Sequence, residues 1–328
     1  MHLSGFPSER IRPDASFPGV LLKAILSDPL YQCEKGKEYS MLHIISDSTC
    51  DLSPELIERY QIRILPLNVN LGEETYIDGK TITPEELYAW SDRTRQTPKT
   101  AVFSETTAMD LFSECLKDGG EIICFAISES MSASAQVMRM AAAELHAEDR
   151  VHVVDSANLS TGISLLILLA ADLAAEGRPV AEILEIIEKK KPLVRSSFVV
   201  DTLTYLHRGG RCSGAAALVG TVLKLHPTIL VHNGKMEVGK KYHSGIFNVL
   251  KRYEKDLEPD LLRAEPRRVF ITHSGCNPEW VAELQETLQA LHYFDEVLVT
   301  RAGSVVSSHC GPNTLGILYM EKEDAGSV

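Results

Sequence analysis

Four stretches of the chain carry residue types that could meet a ligand. The first is Ile127-Ser128-Glu129-Ser130-Met131-Ser132-Ala133-Ser134, four serines between an apolar run and a segment rich in Ala and Met. Hydroxyls beside a helix start suit an anion, because the free N–H groups there carry partial positive charge. Capping such a helix needs only one serine. The second stretch, Thr97-Pro98-Lys99-Thr100-Ala101-Val102-Phe103-Ser104, is another hydroxyl-rich turn ahead of a helical pattern, and on the blander reading it is a cap and a loop. The third, Arg208-Gly209-Gly210-Arg211, sets two guanidinium groups around paired glycines. Their forked donors fit phosphate or carboxylate, while a helix C-cap with solvated arginines is an equally simple use. The fourth, Ser307-Ser308-His309-Cys310-Gly311-Pro312-Asn313, places a histidine just before a forced turn. That histidine could bond a ligand oxygen or be purely structural.

The motifs of common enzyme classes are missing. The chain holds no HExxH, GxSxG, GxGxxG or Walker loop, and no carboxylates are spaced for a metal. Asp47, Asp51 and Asp155 sit near strand ends, where a cation is one use; Asp47 and Asp155 each precede serine, the pattern of a turn-fixing side chain. The seven cysteines form no CxxC pair, so they read as free thiols in a reducing, cytoplasmic compartment rather than a disulfide or zinc framework. Cys310 adjoins His309, but neighbours in sequence seldom point at each other productively. A net charge of -12 disfavours a nucleic-acid surface.

Several elements must position these residues. With 328 residues, 44% hydrophobic and 24% charged, the chain is long enough for two domains. Residues 1–40 read as a flexible extension or an upstream start. Strands are predicted at Leu42 to Ser46, Ile122 to Ile127, Val151 to Val154, Phe198 to Val200, Ile229 to Val231, Val269 to Thr272 and Val297 to Thr300. An aliphatic strand over Leu315 to Met320 follows the last turn. Helical patterns cover Ser132 to His146, Thr161 to Glu176, Val180 to Lys191 and Pro278 to His292. Strand–helix alternation predicts an α/β fold: a Rossmann-like, mainly parallel sheet domain over 41–195, then a smaller α/β domain with a mixed sheet over 196–328. Asn233-Gly234 predicts a hairpin turn. The longest apolar stretch, Ile163 to Ala175, is broken by Ser164 and Asp172 and is shorter than the roughly 20 residues of a membrane span.

In this order the segments resemble the DegV family. Asp47-Ser48-Thr49-Cys50-Asp51-Leu52 is similar to its opening motif, and Thr100 to Ser104 and Ile127 to Gln136 occupy the positions of its two hydroxyl turns. Thr202 to Arg211 and Ser308 to Gly316 resemble its Gly-Gly-Arg segment and its terminal element. Ala101, Val102, Phe103, Ala133, Ala135, His226, Cys310 and Asn313 depart from the pattern. The resemblance implies a fatty acid held in an apolar tunnel between the domains. It also implies a carrier subunit of fatty acid kinase that has no catalytic residues or cofactor. Such a subunit presents the carboxylate to a separate ATP-dependent kinase subunit for acyl-phosphate formation, with transient contact at a membrane surface. Thr100 and Ser132 would contact the carboxylate with His309 close by, and Arg211 with Arg208 would face the kinase. The alternatives are a self-contained phosphotransferase related to dihydroxyacetone kinase and a ligand-gated regulatory protein.

Overall fold

The computed structural model describes residues 41–218 and 224–323, so the expected extension over 1–40 lies outside them. Strand β1 (Leu42–Asp47) is buried from Ile44 onward, as a central parallel strand must be. It pairs in parallel with β2 (Arg63–Leu65) on one side and β6 (Glu121–Ala126) on the other, and β7 (Val151–Asp155) adds beyond β6. Helix α1 (Pro54–Arg59) starts on the Ser53 cap with proline in its first turn. Helix α2 (Pro84–Thr94) opens on the expected capping box of Thr83 and Glu86. Helices α3 (Glu105–Cys115) and α4 (Ser134–Glu144) precede β6 and β7 respectively.

Helix α5 (Thr161–Ala175) leaves β7 and is buried along most of its length. A helix so largely apolar on every side belongs in a core. Its Ile163, Leu166 and Ile167 pack in one cluster with Ile44, Ile123 and Phe125 of the first sheet and with Phe270, Leu318 and Met320 of the second. Gly162 permits the close approach at its start. A Cβ there would lie 2.2 Å from Asn158 Oδ1 and 2.4 Å from Ser196 Oγ. Arg268 ties the same elements together, donating to Glu296 at 2.6 Å, to Tyr60 at 2.7 Å and to Asp172 on α5.

After α6 (Val180–Lys190) the chain forms a six-stranded mixed sheet. Its strands are β8 (Val194–Val199), β9 (Leu225–His232), β10 (Lys235–His243), β11 (Ala264–His273), β12 (Glu296–Arg301) and β13 (Leu315–Glu321), in the order β10-β9-β8-β13-β11-β12. Only β11 and β12 pair in parallel. This sheet, expected to be the smaller, has more strands than the four-stranded one. The hairpin turns at Asn233-Gly234 with φ of 48° and 76°, the double positive φ of a type I′ turn. Helices α7 (Thr204–Gly209), α8 (Ile246–Leu261), α9 (Pro278–Ala290) and α10 (Ser304–Cys310) complete the described fold.

Two local expectations change. Thr100 does not sit at a helix start: it lies on β5 (Lys99–Ala101), an outer strand of a three-stranded antiparallel sheet with β3 (Asn68–Leu71) and β4 (Glu74–Ile77). These strands are three or four residues long and partly exposed, too short and too polar to leave a periodic signal. The α3 cap is Ser104, which accepts from Thr107 N–H at 3.1 Å. The helix expected from Ser132 begins at Ser134 instead, leaving Ser132 in the preceding turn. Among the described residues no helix is long and apolar enough to cross a membrane.

Candidate functional site

A cavity of about 270 Å³ lies where the three sheets meet. Its walls are mostly apolar, drawn from Ile127, Met131, Leu159, Phe198, Leu206, Met236, Val305, Val306 and Leu318. Thr100, Ser132, Arg211 and His309, which lie far apart in sequence, all face it. Arg208 does not line it. That side chain is exposed and donates to Thr97 Oγ1 at 3.1 Å.

Buried carboxylates fix the walls. Asp47 accepts from Ile127 N–H at 2.9 Å and Thr49 N–H at 3.1 Å, anchoring the turn that carries Ser132. Ser132 Oγ lies 3.0 Å from Ser134 Oγ, and the Ser134 hydroxyl reaches Asp47 in turn. Asp51 accepts from Ser160 Oγ at 2.5 Å and Gly303 N–H at 2.8 Å. Asp78 accepts from Ser48 Oγ at 2.8 Å and Ser304 N–H at 2.7 Å. Burial raises all three carboxyls above the usual range, Asp51 to about 8. Asp155 likewise accepts from Ala157 N–H at 2.9 Å and Glu129 N–H at 3.2 Å. The aspartates at the strand ends therefore fix turns and helix starts. Among the described residues no group of three or more potential ligands is placed to hold a metal ion.

His309 lies in the last turn of α10, just before the Gly311-Pro312-Asn313 turn. Its Nε2 lies 2.9 Å from Thr100 Oγ1. The other nitrogen, Nδ1, is buried with no hydrogen-bond partner among the described residues. The ring packs so tightly on Gly209 that a Cβ there would lie 2.4 Å from Nδ1. Gly210, at φ 69°, is the left-handed C-cap of α7. Burial, helped by the Arg211 charge, pulls the His309 pKa down to about 4, so the ring is neutral near pH 7. A neutral ring carries one N–H, and a buried donor without an acceptor is the costlier defect. The hydrogen is therefore assigned to Nε2, donating to Thr100 Oγ1. That leaves the Thr100 hydroxyl hydrogen available to a ligand oxygen.

Arg211 is turned toward the site more than the sequence implied. Its side chain donates to Gly209 O at 2.7 Å and to Met131 O at 3.4 Å. Cys310 is buried, and burial pushes its thiol up to about 12, so it is no thiolate nucleophile. The six described cysteines are all free and buried. Sequence reasoning missed Asp78 and Ser160. Asp78 precedes Gly79 and reads as an ordinary turn, and nothing local marks Ser160, whose φ of 52° and ψ of -143° belong to a region that glycine normally occupies.

The α/β scaffold thus encloses a mostly apolar cavity whose polar side chains include Thr100, Ser132, His309 and Arg211, a lining that suits an amphipathic molecule. A family model described as "Uncharacterised protein, DegV family" matches residues 41–322, and the chain belongs to that family. It is 30% identical over 281 residues to a DegV domain-containing protein of Clostridium perfringens, covering 86% of this chain and 99% of that one. Among solved structures it is similar to a fatty-acid-binding DegV family protein from Thermus thermophilus, with TM-score 0.78 and 29% identity over 86% of this chain and 99% of that one. It is also similar to a stearic acid-binding protein from Eubacterium ventriosum, with TM-score 0.76 and 26% identity over 86% and 99% of the two chains.

Proposed function

We propose that this protein binds a long-chain fatty acid in the cavity and has no catalytic residues of its own. In this reading it presents the carboxylate to a separate ATP-dependent kinase subunit, in the cytoplasm, for acyl-phosphate formation. The observation that carries the reading is the Thr100–His309 pair facing a cavity whose walls are mostly apolar. Similarity to proteins described as binding fatty acids supports it.

The energetics agree. Each CH₂ removed from water contributes about 0.8 kcal/mol, so an apolar tunnel supplies most of the affinity. A buried carboxylate must still find donors, or it takes up a proton. Thr100 supplies a neutral O–H donor, Ser132 supplies a second by turning its hydroxyl from Ser134 to the ligand, and Arg211 at the rim supplies charge without a fully desolvated ion pair. One carboxylate oxygen can then face the phosphoryl donor, with the exposed Arg208 next to the arriving subunit. The cavity would lie between two domains that meet near residue 195, where β8 begins.

Native mass spectrometry of the gently purified chain tests the binding. A co-purifying fatty acid, or uptake of added oleate or palmitate, is expected. Apo protein that takes up neither refutes the reading.

A further inference from the structure

Helix α10 has seven residues, and its two ends are held by different parts of the molecule. Its C-terminal turn carries His309, bonded to Thr100. Its N-terminal turn carries no side-chain cap of its own. The N–H groups of Gly303 and Ser304 are taken instead by Asp51 and Asp78, which are remote in sequence. The fit is close: a Cβ on Gly303 would lie 3.2 Å from both Asp78 carboxylate oxygens and 3.5 Å from Asp51 Oδ1. Neither aspartate lines the cavity. Ser160 does, and its hydroxyl holds the second oxygen of Asp51. Ser160 is kept at φ 52° and ψ -143°, a strained conformation that persists only where surrounding contacts over-determine it. So short a helix is set by its end contacts more than by its own propensity.

We propose that Asp51 and Asp78, with Ser160 holding Asp51, are positioning residues that seat α10 so that His309 meets Thr100. By this link they set the preference for a free carboxylate over an uncharged ester. The inference rests on the fatty-acid reading of the same cavity.

The test compares oleate with methyl oleate by displacement of a fluorescent fatty acid from the full chain and its variants. Asp51→Ala removes both bonds and should cut the preference for the acid by about tenfold, the loss expected for one hydrogen bond to a charged group. Asp51→Asn keeps an oxygen for Gly303 N–H and gains an N–H that Ser160 Oγ can accept, so it should restore the preference. Ser160→Gly suits the strained backbone and should therefore keep the fold, yet it releases Asp51 and should also lower the preference. NMR titration of the His309 ring gives an independent readout. Burial and the Arg211 charge should keep the wild-type ring neutral down to about pH 4, and its titration should move up when α10 is loosened and the ring gains water. Should Asp51→Ala fail to fold, Ser160→Gly decides. Folded Asp51→Ala or Ser160→Gly chains that keep the wild-type preference and the low His309 titration overturn the positioning role alone. A wild-type chain that binds neither oleate nor its ester overturns the carrier reading and this role with it.

Discussion

The Thr100 hydroxyl is the group that the site depends on most directly. With His309 Nε2–H donating to it, the hydroxyl would, in the proposed site, pass one hydrogen onward to a ligand oxygen. Thr100→Val keeps the shape and removes that donor. Oleate affinity should fall by about tenfold, the worth of one hydrogen bond to a charged group, with methyl oleate affected less. Equal losses for acid and ester in a displacement assay would show that Thr100 only packs. Asp51 gives a pH-dependent prediction. Its carboxyl is raised from 3.8 to about 8, so between those values the folded chain holds a proton that the unfolded chain has released. That contribution is full below about pH 4 and is lost as pH climbs through about 8. Asp51→Asn carries no titrating group there, so its stability relative to wild type should rise steadily from pH 4 to pH 8. A pH-independent difference in urea unfolding would contradict the raised carboxyl. Thr100, Ser132, Arg211 and His309, which all face the cavity, could each be singled out in the sequence, whereas Arg208 lies outside it. The contacts joining the four were not legible, because Thr100 and His309 are 209 positions apart and meet only through tertiary packing.

Among the elements, α5 matters most to the scaffold, since it fills the space between the two large sheets. Leu166 is fully buried, and Leu166→Ala should cost about 2–5 kcal/mol by lost burial plus cavity formation. Thermal or denaturant unfolding measures it, and a cost under about 1 kcal/mol would mean that the core collapses around the gap. The elements with strong signatures were readable in advance: the buried β1, the capping box of α2, the apolar α5 and the Asn233-Gly234 turn. The three-stranded sheet β4-β3-β5 and the short helix α10 were not. Each is only a few residues long and owes its form to distant partners, such as Asp51 and Asp78 at the start of α10. These weakly encoded elements are the ones that carry Thr100 and His309.

At the scale of the whole molecule, two sheets share one core around α5, and the small third sheet completes a cavity with apolar walls. In the proposed reading such a cavity would hold the acyl chain along its apolar walls and the carboxylate at Thr100, which suits hand-over better than turnover. Arg208, exposed and outside the cavity, belongs to the surface proposed for the kinase. Arg208→Ala should keep oleate affinity while acyl-phosphate formation by the kinase subunit falls by about tenfold, as for a moderate interface residue. Unchanged rates would remove Arg208 from that surface. The central claim is that a fatty acid binds with its carboxylate at Thr100 and Ser132. NMR of oleate labelled with carbon-13 at the carboxyl tests it most directly. The protein should give one bound carboxyl resonance, distinct from free oleate, that shifts in the Thr100→Val, Ser132→Ala double variant. No bound resonance, or one that the double variant leaves unmoved, would contradict the account.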